Sequence, residues 1–165
     1  MKMVLFFIIF ISSIVIGQES KLIYDEKSGK NVLVGISTRA DYQNSDFSTW
    51  FNYEYTTYGI DSDVLSDYKK NYDNINIKIV LGTWCSDSRR EVPRFIKVLD
   101  FISFPKDKIS YLNVDREKKD LSNKVDDLEI DFVPTIIIYE NGNEIGRIIE
   151  APELTLEKDL LKILH

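Results

Sequence analysis

Residues 75–93 read INIKIVLGTWCSDSRREVP, and this stretch decides the fold. Ile75, Ile77 and Ile79 alternate with polar residues before Val80 and Leu81 complete an apolar finish, the pattern of a strand buried in a sheet. Gly82 and Thr83 turn the chain, and Cys85 then stands at the start of a helix. Val92, Phe95, Ile96, Leu99 and Ile102 of that helix fall on one apolar stripe, and Phe104-Pro105 stops it. A cysteine in the first turn of a helix has chemical consequences. Unpaired backbone N–H groups and the positive end of the helix dipole favour the thiolate over the thiol. Arg89 and Arg90 add to that effect, and Asp87 opposes it.

Working outward, Val32 to Ile36 reads as a short buried strand, Ile109 to Val114 as another, and Lys118 to Leu128 as a helix. Phe132 to Tyr139 is an apolar strand that reaches Asn141-Gly142, and the returning strand runs from Glu144 to Ile149. Asn-Gly between two apolar runs is the strongest short-range signal of a β-hairpin. A last helix, capped by Thr155, places Leu156, Leu160, Ile163 and Leu164 on one face. Between the first strand and residue 75, Phe47, Trp50, Phe51 and Tyr55 recur at near-helical spacing, so the aromatic-rich stretch 39–60 is expected to be a helix packed on the core. An aromatic ligand surface over residues 42–58 is the alternative. Asp61 or Ser62 caps a further helix through Tyr68. The order of elements predicts an α/β domain with a central mixed sheet and helices on both faces. Right-handed crossovers would make its first three strands parallel, and the hairpin would add an antiparallel edge.

The amino terminus carries a different message. Lys2 precedes an apolar run from Met3 to Ile16, interrupted by Ser12 and Ser13, with small residues near a cleavage point before Gln18. This is the pattern of a secretory signal peptide over residues 1–17. The run is short of the ~20 apolar residues of a membrane span, although a retained anchor is the other reading of it. Residues 18–30 are polar and are expected to form a flexible lead-in, followed by one domain over 31–165 with an aromatic-rich N-terminal extension. The protein is then exported, to a periplasm or the exterior, with no stable membrane span once the signal is removed. Cleavage takes only Lys2 among the charged residues and moves the net charge from −6 to −7. Such an acidic domain lacks the basic stripe of a nucleic-acid binder, and the charge run Asp115 to Asp120 reads as a solvated face.

Cysteine and histidine counts narrow the chemistry further. One cysteine permits no internal disulfide, and an unpaired thiol in an oxidising compartment is a liability unless buried or used. The single histidine is the last residue, His165, which leaves no basis for a Cys–His or Ser–His nucleophile pair. A Cys/His metal site lacks ligands, no glycine-rich phosphate loop occurs, and no cofactor is expected.

Trp84-Cys85-Ser86-Asp87-Ser88 resembles the Trp-Cys-x-x-Cys active-site segment of the thioredoxin superfamily, with serine in place of the second cysteine. Pro93 matches the proline that kinks the following helix in that family. Val133-Pro134-Thr135 is similar to its cis-proline loop, and the hairpin and terminal helix follow in the family's order. The resemblance covers about residues 75–164. It implies a thioredoxin-like fold and disulfide exchange with protein or small-molecule thiols and disulfides. Cys85 would be the attacking thiol, and Ser88 its companion, able to hydrogen-bond the thiolate. Trp84, Ser86, Asp87, Val133, Pro134 and Thr135 would wall the site, with substrate along the cis-proline loop. Arg39 is a further residue able to approach it, although a solvated arginine is the favoured reading of that position.

Two departures restrict that implication. The family's buried acid, which assists the second cysteine, falls here on Ile79. Ser88 cannot resolve a mixed disulfide, because exchange requires a thiolate. The expected function is therefore monothiol exchange through Cys85, with release by an external thiol. The competing reading is a non-catalytic binding module that uses the cis-proline groove or the aromatic segment 42–58, with Cys85 an inert core thiol. An iron–sulfur carrier of the monothiol-glutaredoxin kind is disfavoured by the export signal and by Trp84. The sequence leaves the oligomeric state undefined.

Overall fold

A computed structural model of the protein describes residues 20–66, 68 and 72–165. The expected signal peptide, residues 1–17, lies outside these residues. The chain forms β1 (Ser20–Asp25), β2 (Lys30–Ser37), α1 (Ser48–Thr57), α2 (Ser62–Leu65), β3 (Ile75–Leu81) and α3 (Ser86–Phe101). There follow β4 (Ile109–Asn113), β5 (Thr135–Glu140), β6 (Asn143–Ile149) and α4 (Leu156–Leu164). The strands make one sheet in the order β1-β2-β4-β3-β5-β6.

β3 lies inside the sheet, with residues buried on both faces. Ile75, Ile77, Ile79 and Leu81 join the larger core cluster together with Val92, Phe95, Ile96 and Leu99 of α3 and Leu156, Leu160 and Leu164 of α4. Val80 joins the smaller cluster on the opposite face, with Leu112, Val114, Val125, Val133 and Ile137. Side chains that alternate along a strand are thereby divided between two cores. The residues from Val114 to Val133 cover the second face with turns and one 3₁₀ turn, Asp126–Leu128.

That covering segment corrects the helix expected over Lys118–Leu128. Asp115 accepts from the backbone N–H groups of Glu117 and Lys119, and Asp120 from those of Ser122 and Val125. Aspartate side chains that bond nearby amides offer the backbone an alternative to helix. Lys118 and Asn123 adopt positive φ, which interrupts a right-handed helix.

The amino-terminal half differs in two further respects. Residues 20–30, taken from sequence as part of a flexible lead-in, form β1 and its turn into β2, paired from Ser20↔Gly35 to Asp25↔Lys30. β2 then runs antiparallel to β4, so only β3 and β4 are parallel among the strands expected to be so. The handedness rule constrains a crossover between parallel strands. Here the chain leaves β2 at Ser37, opposite Tyr111, and returns to β3 at the same end of the sheet. The linker carrying α1 and α2 makes an excursion and comes back, so no crossover is required.

The aromatic segment is core, as its helical spacing predicts. Tyr42, Phe47 and Phe51 are buried, and the Tyr42 and Phe51 rings stack with centroids 5.5 Å apart. The alternative of an aromatic ligand surface over 42–58 is therefore corrected: these rings are consumed in packing α1 on α3. Of the segment's aromatic rings, only Tyr53 is strongly exposed, at 63%. The second helix ends at Leu65, short of the expected Tyr68, and is capped by Asp61, whose carboxylate accepts from Val64 N. At the hairpin, Asn141 and Gly142 take φ of 52° and 81°, the left-handed pair that the tight turn requires.

Burial separates these aromatics energetically. Phe51→Ala is expected to lower stability by about 3–5 kcal/mol, and Tyr53→Ala by less than about 0.5 kcal/mol. Urea unfolding of the two variants checks both values.

Candidate functional site

Leu81 ends the central strand and the next four residues are held from several directions. Cys85 N donates to Gly82 O at 2.9 Å, closing a turn. Gly82 lies under the Trp84 indole, where an added Cβ would fall 2.6 Å from ring atoms, so the residue must be glycine for Trp84 to sit there. Thr83 is buried; its Oγ1 accepts from Leu33 N of β2 at 2.9 Å and its carbonyl from Arg89 Nε at 2.6 Å. Trp84 Nε1 donates to Val114 O at 2.9 Å, at the end of β4. The loop is thus tied to two neighbouring strands and to the helix that follows it.

Cys85 is the N-cap residue of α3, in extended conformation, with Arg89 N donating to its carbonyl as the first helical bond. Its side chain is half-buried. Sγ lies 3.2 Å from Val133 O and 4.0 Å from Asp87 Oδ2, with the thiol as donor. The Val133–Pro134 peptide bond is cis. Thr135 Oγ1 donates to Phe132 O at 2.7 Å, and Glu150 N to Pro134 O at 2.7 Å, so this turn is braced from both sides. Cys85, Trp84, Val133, Pro134 and Thr135 are therefore brought together, with Ser86 exposed at the rim. Phe132, 52% exposed, adds an apolar shoulder beside the cis-proline turn.

Ser88 occupies a different role from the one expected. It is 0% exposed, and its Oγ accepts from Gly82 N at 3.2 Å, so its partner is the preceding loop rather than the sulfur. Arg89 is committed to Thr83 O, and Arg90 to Asp87 at 2.9 Å and to Glu91. Neither cation of the first turn is directed at Cys85. Arg39 sits at the far end of α3, paired with Asp100 at 2.6 Å and stacked on Tyr55, away from the site.

The cation that does reach this neighbourhood was not foreseen. The Arg116 guanidinium lies over the Trp84 ring, 5.0 Å from its centroid. It is held by Asp25 at the end of β1 through two parallel bonds, Nε to Oδ1 and Nη2 to Oδ2, both 2.8 Å. Asp25 is itself fixed by Ser28, whose N–H and hydroxyl both donate to Oδ2. Arg116 stands above its ordinary value, chiefly through its hydrogen bond to Asp25 and also through the charges of Asp25 and Cys85. The Asp25 carboxyl is driven well below the usual carboxylate range, first by that bond from Arg116 and then by Ser28. One signal for this pair was present. Leu22-Ile23-Tyr24 and Val32-Leu33-Val34 flank a turn ending in Gly29, at φ 64°, which is a hairpin pattern.

Among the described residues, no group of three or more His, Cys, Asp or Glu is placed to hold a metal ion, and no helix is long and apolar enough to cross a membrane.

No protein-family model matches the chain. Thioredoxin-like protein R548 of Acanthamoeba polyphaga mimivirus is 30% identical over 80 residues, which are 48% of this chain and 56% of the relative. The chain thus spans about half the length of that curated relative. Among solved structures, oxidised thioredoxin O2 of Arabidopsis thaliana is 20% identical with a TM-score of 0.40, covering 62% of this chain and 82% of its own. Fasciola hepatica thioredoxin is 16% identical with a TM-score of 0.42, covering 61% and 88%. A Pseudomonas aeruginosa protein of unknown function is 16% identical with a TM-score of 0.48, covering 78% and 80%. The fold is a mixed α/β fold: a parallel β3–β4 pair, an antiparallel β5–β6 hairpin beside β3, and α3 springing from β3 opposite a cis-proline.

The Asp25–Arg116 pair has a defined pH signature. A carboxyl lower in the folded chain than in the unfolded one stabilises above the unfolded value of ~3.9, and that contribution fades as the pH falls below it. Asp25→Asn is therefore expected to lower the urea midpoint at pH 7 more than at pH 3, and equal losses at both would contradict the pairing.

Proposed function

We propose that this is an exported monothiol protein that exchanges disulfides through Cys85. The observation that carries the reading is the position of Cys85 Sγ, half-buried at the first turn of α3 and 3.2 Å from the carbonyl of Val133 in the cis-proline turn. A thiol here is reachable, and an extended substrate segment laid along residues 132–135 brings its disulfide to the sulfur. The similarity to a thioredoxin-like protein supports the same chemistry.

In the exchange, the Cys85 thiolate attacks one sulfur of a disulfide. The substrate S–S bond breaks, an Sγ–S bond forms, and the second sulfur leaves as a thiolate that takes up a proton from solvent, replacing the one Cys85 released. Ser88 cannot complete a second attack, and Ile79 stands where the family's acid would serve one. A protein or small-molecule thiol then displaces Cys85 from the mixed disulfide and restores it. The cycle as a whole moves a disulfide between partners without a resident cofactor. Export rests on the signal-like residues 1–17, with the periplasm or the exterior as destination.

A second reading, a binding module docking a partner along the cis-proline turn, draws on the burial of Ser88 and on Ile79. The two readings part at the thiol. Incubation with an extract from the source compartment, followed by non-reducing electrophoresis, is expected to yield adducts that vanish in Cys85→Ala and on reduction. If no adduct depends on Cys85, exchange is excluded and the binding module stands. Ser88→Cys places a second thiol in the first helical turn and is expected to convert single exchange into measurable reduction of an insulin disulfide in the presence of dithiothreitol. Mass spectrometry of the exported protein is expected to find Gln18 at the amino terminus.

A further inference from the structure

We propose that Arg116 gives the Cys85 site its substrate preference, by taking a carboxylate that lies beside the reacting disulfide. The inference rests on Cys85 exchanging disulfides and names the class of disulfide that it takes.

Three observations carry it. First, Arg116 is aimed. Its guanidinium stacks on Trp84, the residue next to Cys85, and Trp84 is locked by its bond to Val114 O and by its fit over Gly82. Secondly, the guanidinium is only half committed. Asp25 occupies the edge made by Nε and Nη2, and Nη1 has no protein partner among the described residues, while the side chain keeps 31% of its surface exposed. A planar guanidinium held on one edge presents its remaining N–H groups in a fixed direction, the geometry suited to a carboxylate. Thirdly, the support is built for the purpose. An ordered side chain with two bonds to Asp25, which is held in turn by Ser28, loses little further freedom when it binds. The β1–β2 hairpin thereby becomes part of the site.

The neighbouring cations do not serve this role, since Arg89 is bonded to Thr83 O and Arg90 to Asp87 and Glu91. Charge also sets a direction for the effect. The chain carries a net −6, so its overall field repels an anionic substrate, and any preference for one must be local.

The test compares two aromatic disulfides reacting with the thiol of the full-length protein: dithiobis-nitrobenzoate, with a carboxylate on each ring, and the uncharged dithiodipyridine. The readout is the ratio of the two rates. Arg116→Gln is expected to lower the ratio about two- to fivefold, the span of a solvent-exposed ion pair, and Arg116→Lys to fall between. A ratio unchanged in Arg116→Gln overturns the proposal while leaving exchange intact. A thiol that reacts with neither reagent overturns exchange and this inference with it. Should Arg116→Gln fail to fold, added salt decides on the unmodified protein. Screening a local Arg116 contact slows the anionic reagent relative to the neutral one, whereas screening the overall negative field speeds it.

The source of the carboxylate is separated in two further arms. Faster exchange with a cystine-linked peptide bearing Asp beside its cysteine than with its Asn counterpart points to acidic protein segments. Faster exchange with oxidised glutathione than with its dimethyl ester, in which both glycine carboxylates are blocked, points to a small carboxylate-bearing disulfide. Loss of neither preference in Arg116→Gln overturns the assignment.

Discussion

The antiparallel pairing of β3 with β5 is the constraint on which the site depends. Val80 stands opposite Thr135, so the residues that follow β3 and those that precede β5 must meet at one edge of the sheet. Those residues are Gly82 to Cys85 on one side and Val133-Pro134 on the other. Both strands are buried on their two faces, and sliding either by one residue would exchange its two cores, which fixes the register. The 3.2 Å approach of Cys85 Sγ to Val133 O is a consequence of that register rather than of any local attraction.

Around this meeting point the fold adds ties that make the loop rigid. Thr83 is bonded to β2 and to Arg89, Trp84 to the end of β4, and Gly82 to Ser88. Each bond joins the loop to an element whose position is set by the core. Ser88 thus has a physical explanation in its own terms. Fully buried, it satisfies the amide of Gly82, a donor that would otherwise be unpaired in the interior.

The hairpin at the amino terminus extends the same logic to charge. β1 ends and β2 begins beside the loop after β4, so a carboxylate at position 25 and a guanidinium at position 116 come together across 91 residues of chain. Neither charge is unusual in sequence. Their pairing over Trp84 is what makes them part of the site, and it explains why the run Asp115 to Asp120 reads as a plain solvated face when taken alone. The same run misleads about structure, since its aspartates bond to nearby amides and hold turns where periodicity predicts a helix.

Local patterns determined the elements that repeat a strong period. The β3 alternation, the apolar stripe of α3, the Asn141-Gly142 hairpin, the terminal helix and the aromatic helix α1 were all legible, because each writes its buried face into consecutive residues. The positions of Cys85 and Pro134 in the chain were equally plain. Tertiary structure alone decided strand direction at β2, the burial of Ser88 and its bond to Gly82, and the delivery of Asp25 to Arg116. Those outcomes depend on which end of the sheet the chain returns to and on contacts between residues far apart in sequence, and no local period encodes either.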